Sequence, residues 1–344
     1  MSAAMELNLS GHPLHTRLQT VAARRDAAGT VVVEAGHLDL RKRGFVPVGA
    51  DLQASGIVHD MSLRATLDPQ LACLRDVETA MRTPAFERSE LTRGETCRDV
   101  AGRHPALESL PLDGGTSRAI AGAMNGVRGC SHILALTQLA ASTIRYALDG
   151  DTGWDRGPER RLFHRTLVID GSQPADRVIE IAVQLNDLFF APAAPVANPM
   201  DRFARQYELR LLARIDLDGV VVRGLELAER RRGREDLDTA GWRRRDADVA
   251  GLLAAPFFGG FAARVFAHFP QPERDRPLID GLLALAPAFI QICACFSEDW
   301  PSRCMAVDTL VGIGGIPDAC YMWRRDGALH ASRKRSDPLG KVGD

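Results

Sequence analysis

Hydrophobic patterning between residues 12 and 150 recurs roughly 150 positions later, and this recurrence constrains the fold more than any single motif does. Leu14-His15-Thr16-Arg17 is echoed by Phe163-His164-Arg165-Thr166, 149 positions on. The corner at Asp68 is echoed 150 positions on by Asp218-Gly219, and Ile133-Leu134-Ala135-Leu136 is echoed 149 on by Leu282-Leu283-Ala284-Leu285. Three echoes at nearly one offset imply an internal duplication.

Within each copy, strands precede helices. Partial alternation over Leu14 to Ala22 and Thr30 to Leu40, across a polar RRDAAG segment, predicts a half-buried hairpin. A second hairpin follows, with arms Ile57 to Leu67 and Leu71 to Met81 turning at Asp68-Pro69-Gln70, where proline sets the backbone. Apolar residues at three- and four-residue spacings then predict helices over Ser117 to Met124 and Ser131 to Leu148. In the second copy, Gln206 to Leu217 and Val220 to Leu227 flank Asp218-Gly219 as a further hairpin. The expected fold is α+β, with two pseudo-repeated units, each an antiparallel sheet of hairpins backed by two helices. The units would span residues 12–150 and 151–300, followed by a closing segment 301–330 and a disordered basic tail 331–344. The two sheets could join or face each other across a pseudo-twofold axis.

Composition narrows the function. In 344 residues, 43 basic groups balance 44 acidic ones, so no overall field draws the chain onto nucleic acid or anionic lipid. Only Lys42, Lys334 and Lys341 are lysines, which leaves Lys42 as the one candidate for amine chemistry outside the tail. Seven scattered cysteines and the absence of a basic-then-apolar leader point to a cytoplasmic protein with free thiols. The longest apolar stretch, Gly281 to Phe296, contains Pro287 and is shorter than the roughly 20 residues of a membrane helix, so a buried helix is expected. No CxxC, HExxH, Walker or GxGxxG motif occurs, and the glycine run at Gly312, Gly314 and Gly315 leads into no helical pattern.

If two copies share one scaffold, polar residues present in only one of them mark a site, and these lie mainly in the first. His59-Asp60 interrupts an apolar alternation, and as strand neighbours only one of the two can face the helices. Cys130-Ser131-His132 opens the strong helix; Cys130 or Ser131 would cap it, and a Cys130–His132 nucleophile pair is poorly placed two residues apart. His15 and Arg17 share a strand face, although the echo at His164 argues for a scaffold role for His15. Tyr321, in Cys320-Tyr321-Met322-Trp323, is a candidate proton donor and Trp323 a candidate aromatic wall, with a closing strand as the plainer explanation. A metal site assembled from His15, His59, Asp60 and His132 has suitable donor chemistry, but no spacing demands it, and no metal or other cofactor is expected.

Three runs, Leu14-His15-Thr16-Arg17, Ile57 to Arg64 (IVHDMSLR) and Gly129-Cys130-Ser131-His132-Ile133, resemble in order and spacing the HTR, I-H-D-M-x-L-R and G-C-T-H-L runs of the bacterial family called domain of unknown function 2889. Pro317 to Trp323 resembles its closing run, and Ser131 stands where threonine is usual. Long members of this kind are similar to γ-formaldehyde lyases that act on phenylcoumaran-type diaryl compounds from lignin. The resemblance implies a cofactor-independent lyase that releases formaldehyde by acid/base carbon–carbon cleavage of a small aromatic substrate. His59, Asp60, His132 and Tyr321 would then be catalytic, and His15, Arg17, Cys130 and Trp323 would bind substrate. The alternatives are a hydrophobic-ligand-binding protein and a metal-dependent hydrolase; a homodimer is compatible with either.

Overall fold

The computed structural model describes residues 5–42, 46–48, 51–150, 161–175, 177–191, 198–257, 260–295 and 317–335. Long strands dominate. In the first half they are β1 (His12–Arg25), β2 (Val31–Arg41), the short pair β3 (Val46–Val48) and β4 (Asp51–Gln53), β5 (Gly56–Asp68), β6 (Cys73–Thr83), β7 (Gly102–Arg103) and β8 (Ser109–Pro111). Helices α1 (Thr116–Met124) and α2 (Ser131–Asp149) follow. The second half begins with β9 (Arg161–Ala175), β10 (Val178–Phe190), β11 (Phe203–Asp216), β12 (Val221–Gly233) and β13 (Arg243–Arg244). It continues through α3 (Asp246–Val249), α4 (Phe261–His268), α5 (Arg276–Leu283) and α6 (Leu285–Cys293), and α7 (Ala328–Arg335) closes the described chain.

All long strands belong to one antiparallel sheet, ordered β13-β12-β11-β10-β9-β1-β2-β5-β6-β7, with β8 also on β6. The halves therefore join edge to edge: β1 pairs with β9, Arg17 opposite Ile169 and Val21 opposite Arg165. Of the two expected arrangements, the joined sheet is the one that occurs. At the two ends, β13 pairs β12 only at Ala228 and Glu229, and β7 and β8 pair β6 at separate short stretches.

Strand alternation places one side of every residue pair under the helices. In β1 the covered side runs His15, Arg17, Gln19, Val21, Ala23; in β2 it runs Val31, Val33, Ala35, His37, Asp39, Arg41. Each strand is thus apolar at one end and polar at the other on the same buried face. Two β-bulges sharpen this pattern, one between Pro13 and His15 on β1 and one opposite Asp39–Leu40 on β5. At each, two successive residues are buried, Leu14 with His15 and Val58 with His59, which strict alternation forbids.

Helix α2 lies over β1, β2 and β5, burying Ile133, Leu136, Ala140 and Ile144, while α5 covers β10 and β11 and α6 covers β1 and β9. The apolar run expected as one helix is two. Pro287 lacks an N–H and crowds the carbonyl four residues back, so the helix breaks at Ala284. Together, Arg276–Cys293 is long and apolar enough to cross a bilayer, yet 56% of it is buried on the sheet. Among the described residues the second half thus carries four α-helices before residue 296, where two were expected. On the outer face, Met5 packs with Ala182, Leu212, Ala228 and Trp242.

Two expectations for the C-terminal part change. Cys320 to Arg325 forms a 3-10 turn at Tyr321–Trp323 in place of a strand, and the tail is helical as far as Arg335 because Ala328, Leu329 and His330 are buried and anchor it. Gly312, Gly314, Gly315 and residues 336–344 lie outside the described residues.

Candidate active site

Where the polar ends of β1, β2 and β5 lie side by side, strand register builds a row. Arg17 is opposite Asp39 and Asp39 opposite His59; one step along, Gln19 is opposite His37. The start of α2 brings His132 down onto this row, and α6 brings Gln291.

Asp39 is the centre. Its Oδ1 accepts from Arg17 Nε at 2.8 Å, and its Oδ2 accepts from Arg17 Nη2 at 3.1 Å, His37 Nε2 at 2.9 Å and His59 Nδ1 at 2.9 Å. His132 Nε2 stands 3.7 Å from Oδ2, and His15 Nε2 3.1 Å from Oδ1. Burial alone would push the Asp39 carboxyl up, but Arg17 and the facing imidazole N–H groups hold it well below the usual carboxylate range. The carboxylate is therefore ionised throughout the neutral range.

The imidazoles are pushed the other way. Burial lowers His37 to about 4, lowers His15, and, with His59 adding to it, holds His132 well below an ordinary histidine. These three are neutral at pH 7. Two of them have an amide alongside: Gln19 Nε2 lies 3.1 Å from His37 Nδ1, and Gln291 Nε2 lies 2.9 Å from His132 Nε2, the nitrogen that also faces Asp39. With the Gln291 amide donating, His132 keeps its proton on Nδ1, facing Cys130 Sγ at 3.8 Å. His59 and His132 stack with ring centroids 4.0 Å apart. These two form the open side of the cluster, at 6% and 16% side-chain exposure, whereas Asp39 is at 0%.

Of the residues singled out in the sequence, His15, Arg17, His59 and His132 converge here. Asp60 does not: it points to the other sheet face, where it accepts two bonds from Arg82 at 2.8 Å. Adjacent strand residues point oppositely, and His59 shares the inward face with Met61 and Leu63. Cys130 occupies the cap position of α2 without capping it; its side chain meets His132 because the cap residue is extended, not helical. Burial pushes its thiol up to about 12, so it stays protonated. Tyr321 donates its backbone N–H to Gly129 O at 2.8 Å with Arg324 over its ring, and Trp323 packs edge-on against Phe86. The closing segment is thereby fastened to the loop that leads into α2. Lys42 pairs with Asp170 at 3.0 Å, partly exposed.

The row residues His37 and Asp39, and the flanking Gln19 and Gln291, were not singled out. A signal existed for two of them: His37 and Asp39 continue the buried alternation begun by Val31, Val33 and Ala35. The histidine echo at His164 misled, because His164 lies at intermediate burial and bonds Thr166 at 3.1 Å. A one-residue slip in strand alignment exchanges the two faces.

Fold and site together define an α+β protein whose covered sheet face holds a buried carboxylate ringed by a guanidinium and four imidazoles. Residues 15–145 match the family model described as Protein of unknown function (DUF2889). This stretch supplies every side chain of the cluster except Gln291. No curated protein and no solved structure matches.

Proposed function

We propose that the cluster is the active centre of an enzyme, a lyase that cleaves a carbon–carbon bond of a small aromatic alcohol by proton transfer. The observation that carries this reading is the Asp39–His59 pair. An ionised, buried carboxylate holds Nδ1–H of His59 and leaves Nε2 on the open side to take a substrate proton, the arrangement by which a carboxylate sets a histidine's tautomer and steadies its imidazolium.

The reaction class comes from the lyase resemblance, and the residues present suit it. His59 takes the proton of a hydroxymethyl oxygen. The O–H pair becomes the second bond of formaldehyde, and the carbon–carbon bond breaks. Its pair forms a carbon–carbon double bond as an aryl ether oxygen on the next carbon departs and takes the proton back from His59. Nucleophilic alternatives have little support, since the Cys130 thiol stays protonated and Lys42 is engaged elsewhere.

The chain also reads as a duplication in which only the first copy kept this centre. Arg165 and Asp187 form a second buried two-point pair at 2.6 and 2.7 Å, at the same 22-residue separation as Arg17 and Asp39 and 148 positions on. At that offset, His15, His37, His59 and His132 meet Phe163, Leu185, Tyr207 and Asp280. The scaffold pair persists, and every imidazole is replaced. The helices cross over as well: Thr143 of α2 bonds Arg165 at 2.9 Å, and its counterpart at this offset, Gln291 of α6, bonds His132.

The test is incubation of purified protein with a panel of phenylcoumaran and diarylpropane diols, with formaldehyde and the new alkene assayed together. Equal release of both is expected, with His59→Gln slowing it about 100-fold or more. No release across the panel overturns the lyase assignment.

A further inference from the structure

Building on the reading of this cluster as the active centre, we infer that it holds one divalent transition-metal ion, ligated by Nε2 of His37, the carboxylate of Asp39 and Nε2 of His132. Their donor atoms lie within 4.8 Å of one another. Ligands around a tetrahedral ion with bonds of about 2.0–2.2 Å stand roughly 3.4 Å apart, so the existing separations of 2.9 and 3.7 Å to Asp39 Oδ2 need only small shifts.

Three further observations point to a cation. Asp39 Oδ2 is approached within 3.1 Å by Arg17, His37 and His59, more nitrogens than its two lone pairs serve, and the unprotonated Nε2 of His132 stands 3.7 Å away. A cation between them turns His37 Nε2 into a lone-pair donor beside that of His132. His15, at 1% exposure, leaves both ring nitrogens without a hydrogen bond, although Nε2 stands 3.1 Å from Asp39 Oδ1 and faces the same centre. Finally, the remote nitrogens of both proposed imidazole ligands have neighbours: Gln19, whose amide turns its Oε1 to accept from His37 Nδ1–H, and the Cys130 thiol beside His132 Nδ1, while the ion replaces the Gln291 amide at His132 Nε2. Such outer contacts orient metal-bound histidines.

Two imidazoles and one carboxylate leave open coordination positions, the pattern of catalytic zinc and of non-haem iron(II) sites. With Arg17 also on Asp39, the loaded centre carries excess positive charge, which an anionic oxygen such as the alkoxide of an alcohol substrate neutralises in an open position. His59, bonded through Nδ1 to Asp39, remains the proton acceptor beside it.

The test uses the full chain, stripped with a chelator and titrated with Zn2+ by calorimetry and with Co2+ by visible absorption. Expected are one ion per chain and the intense ligand-field bands of four- or five-coordinate cobalt. His37→Gln and His132→Gln should weaken binding roughly 100-fold or more, and Gln19→Ala about 10- to 100-fold, while Asp60→Asn leaves it unchanged. Circular dichroism identifies any variant that fails to fold, and the wild-type stoichiometry stands without the variants. Absence of one-to-one binding by wild type, or affinity unmoved in folded His37→Gln and His132→Gln, overturns the inference. Formaldehyde release by fully stripped protein also overturns it while keeping the lyase reading; tight binding with no release on any substrate overturns the lyase alone.

Discussion

The guanidinium of Arg17 and the carboxylate of Asp39 face each other across neighbouring strands as a two-point ion pair, Nε to Oδ1 at 2.8 Å and Nη2 to Oδ2 at 3.1 Å, with neither group reaching solvent. Removing one partner of such a pair strands the other charge in a low-dielectric interior. Asp39→Asn should therefore lower unfolding free energy by about 3–5 kcal/mol. Asp60→Asn, which breaks a pair with the largely exposed Arg82, should cost no more than about 1 kcal/mol. Urea unfolding of both variants checks the contrast, and equal losses would contradict the burial argument.

Arg165, Asp187 and Asp280 form a second buried charged group, with Ser142 bonded to Asp280 at 2.7 Å. It contains no imidazole, so its role is to hold α2 and α5 on the sheet. Asp280→Asn is expected to destabilise by about 2–4 kcal/mol while formaldehyde release at low temperature stays within about twofold of wild type. A selective loss of turnover in a fully folded variant would place this group in the chemistry.

Much of the fold was legible in the chain because it rests on local signals. The hairpins at Asp68 and Asp218, and the helices at 116–124 and 131–149, follow from turn residues and apolar spacing and occur nearly where expected. Joining of the halves through β1 and β9 was one of two open choices, since neither strand's sequence names its neighbour. In the site, His15, Arg17, His59 and His132 stood out as polar residues in apolar settings. Asp39 did not, because an aspartate near the end of a strand reads as solvated until three strands and a helix are brought together over it. His15 and His59 follow the inward alternation of their strands, whereas the two bulges that bury Leu14 and Val58 beside them depend on strand pairing and have no signature within either strand alone.

Gly171 stands opposite His15 on β9, where α6 crosses. A Cβ there would come within 2.2 Å of Ile292 Cδ1, so only glycine lets α6 lie this close to the sheet. Gly171→Ala should destabilise by about 1–3 kcal/mol through overpacking, and Ile292→Ala, which removes both Cδ1 and the Cγ1 that the new Cβ would meet at 2.4 Å, should cost less in that chain than in wild type. Because Gln291 on α6 touches His132, the single variant should also perturb the His132 ring resonances in NMR spectra, and the double variant should do so less. Thermal unfolding and those spectra check both parts; an additive double variant would refute the contact.

The pH dependence of stability in metal-free protein follows from the same burial. His37 falls to about 4 from the 6.5 of an exposed histidine, chiefly because burial disfavours its charged form. Between those values the unfolded chain binds a proton that the folded chain does not, so stability is full above pH 6.5 and is lost as pH falls towards 4. His37 alone contributes roughly 3 kcal/mol to this loss, and the lowered His15 and His132 act with the same sign. Denaturant midpoints measured between pH 7.5 and 4.5, a range spanning about three pH units around these values, should fall steadily. His37→Gln should flatten the slope, since it removes a group that must stay neutral to remain buried. A wild-type profile level down to pH 5 would show that the imidazoles are not held neutral by the fold.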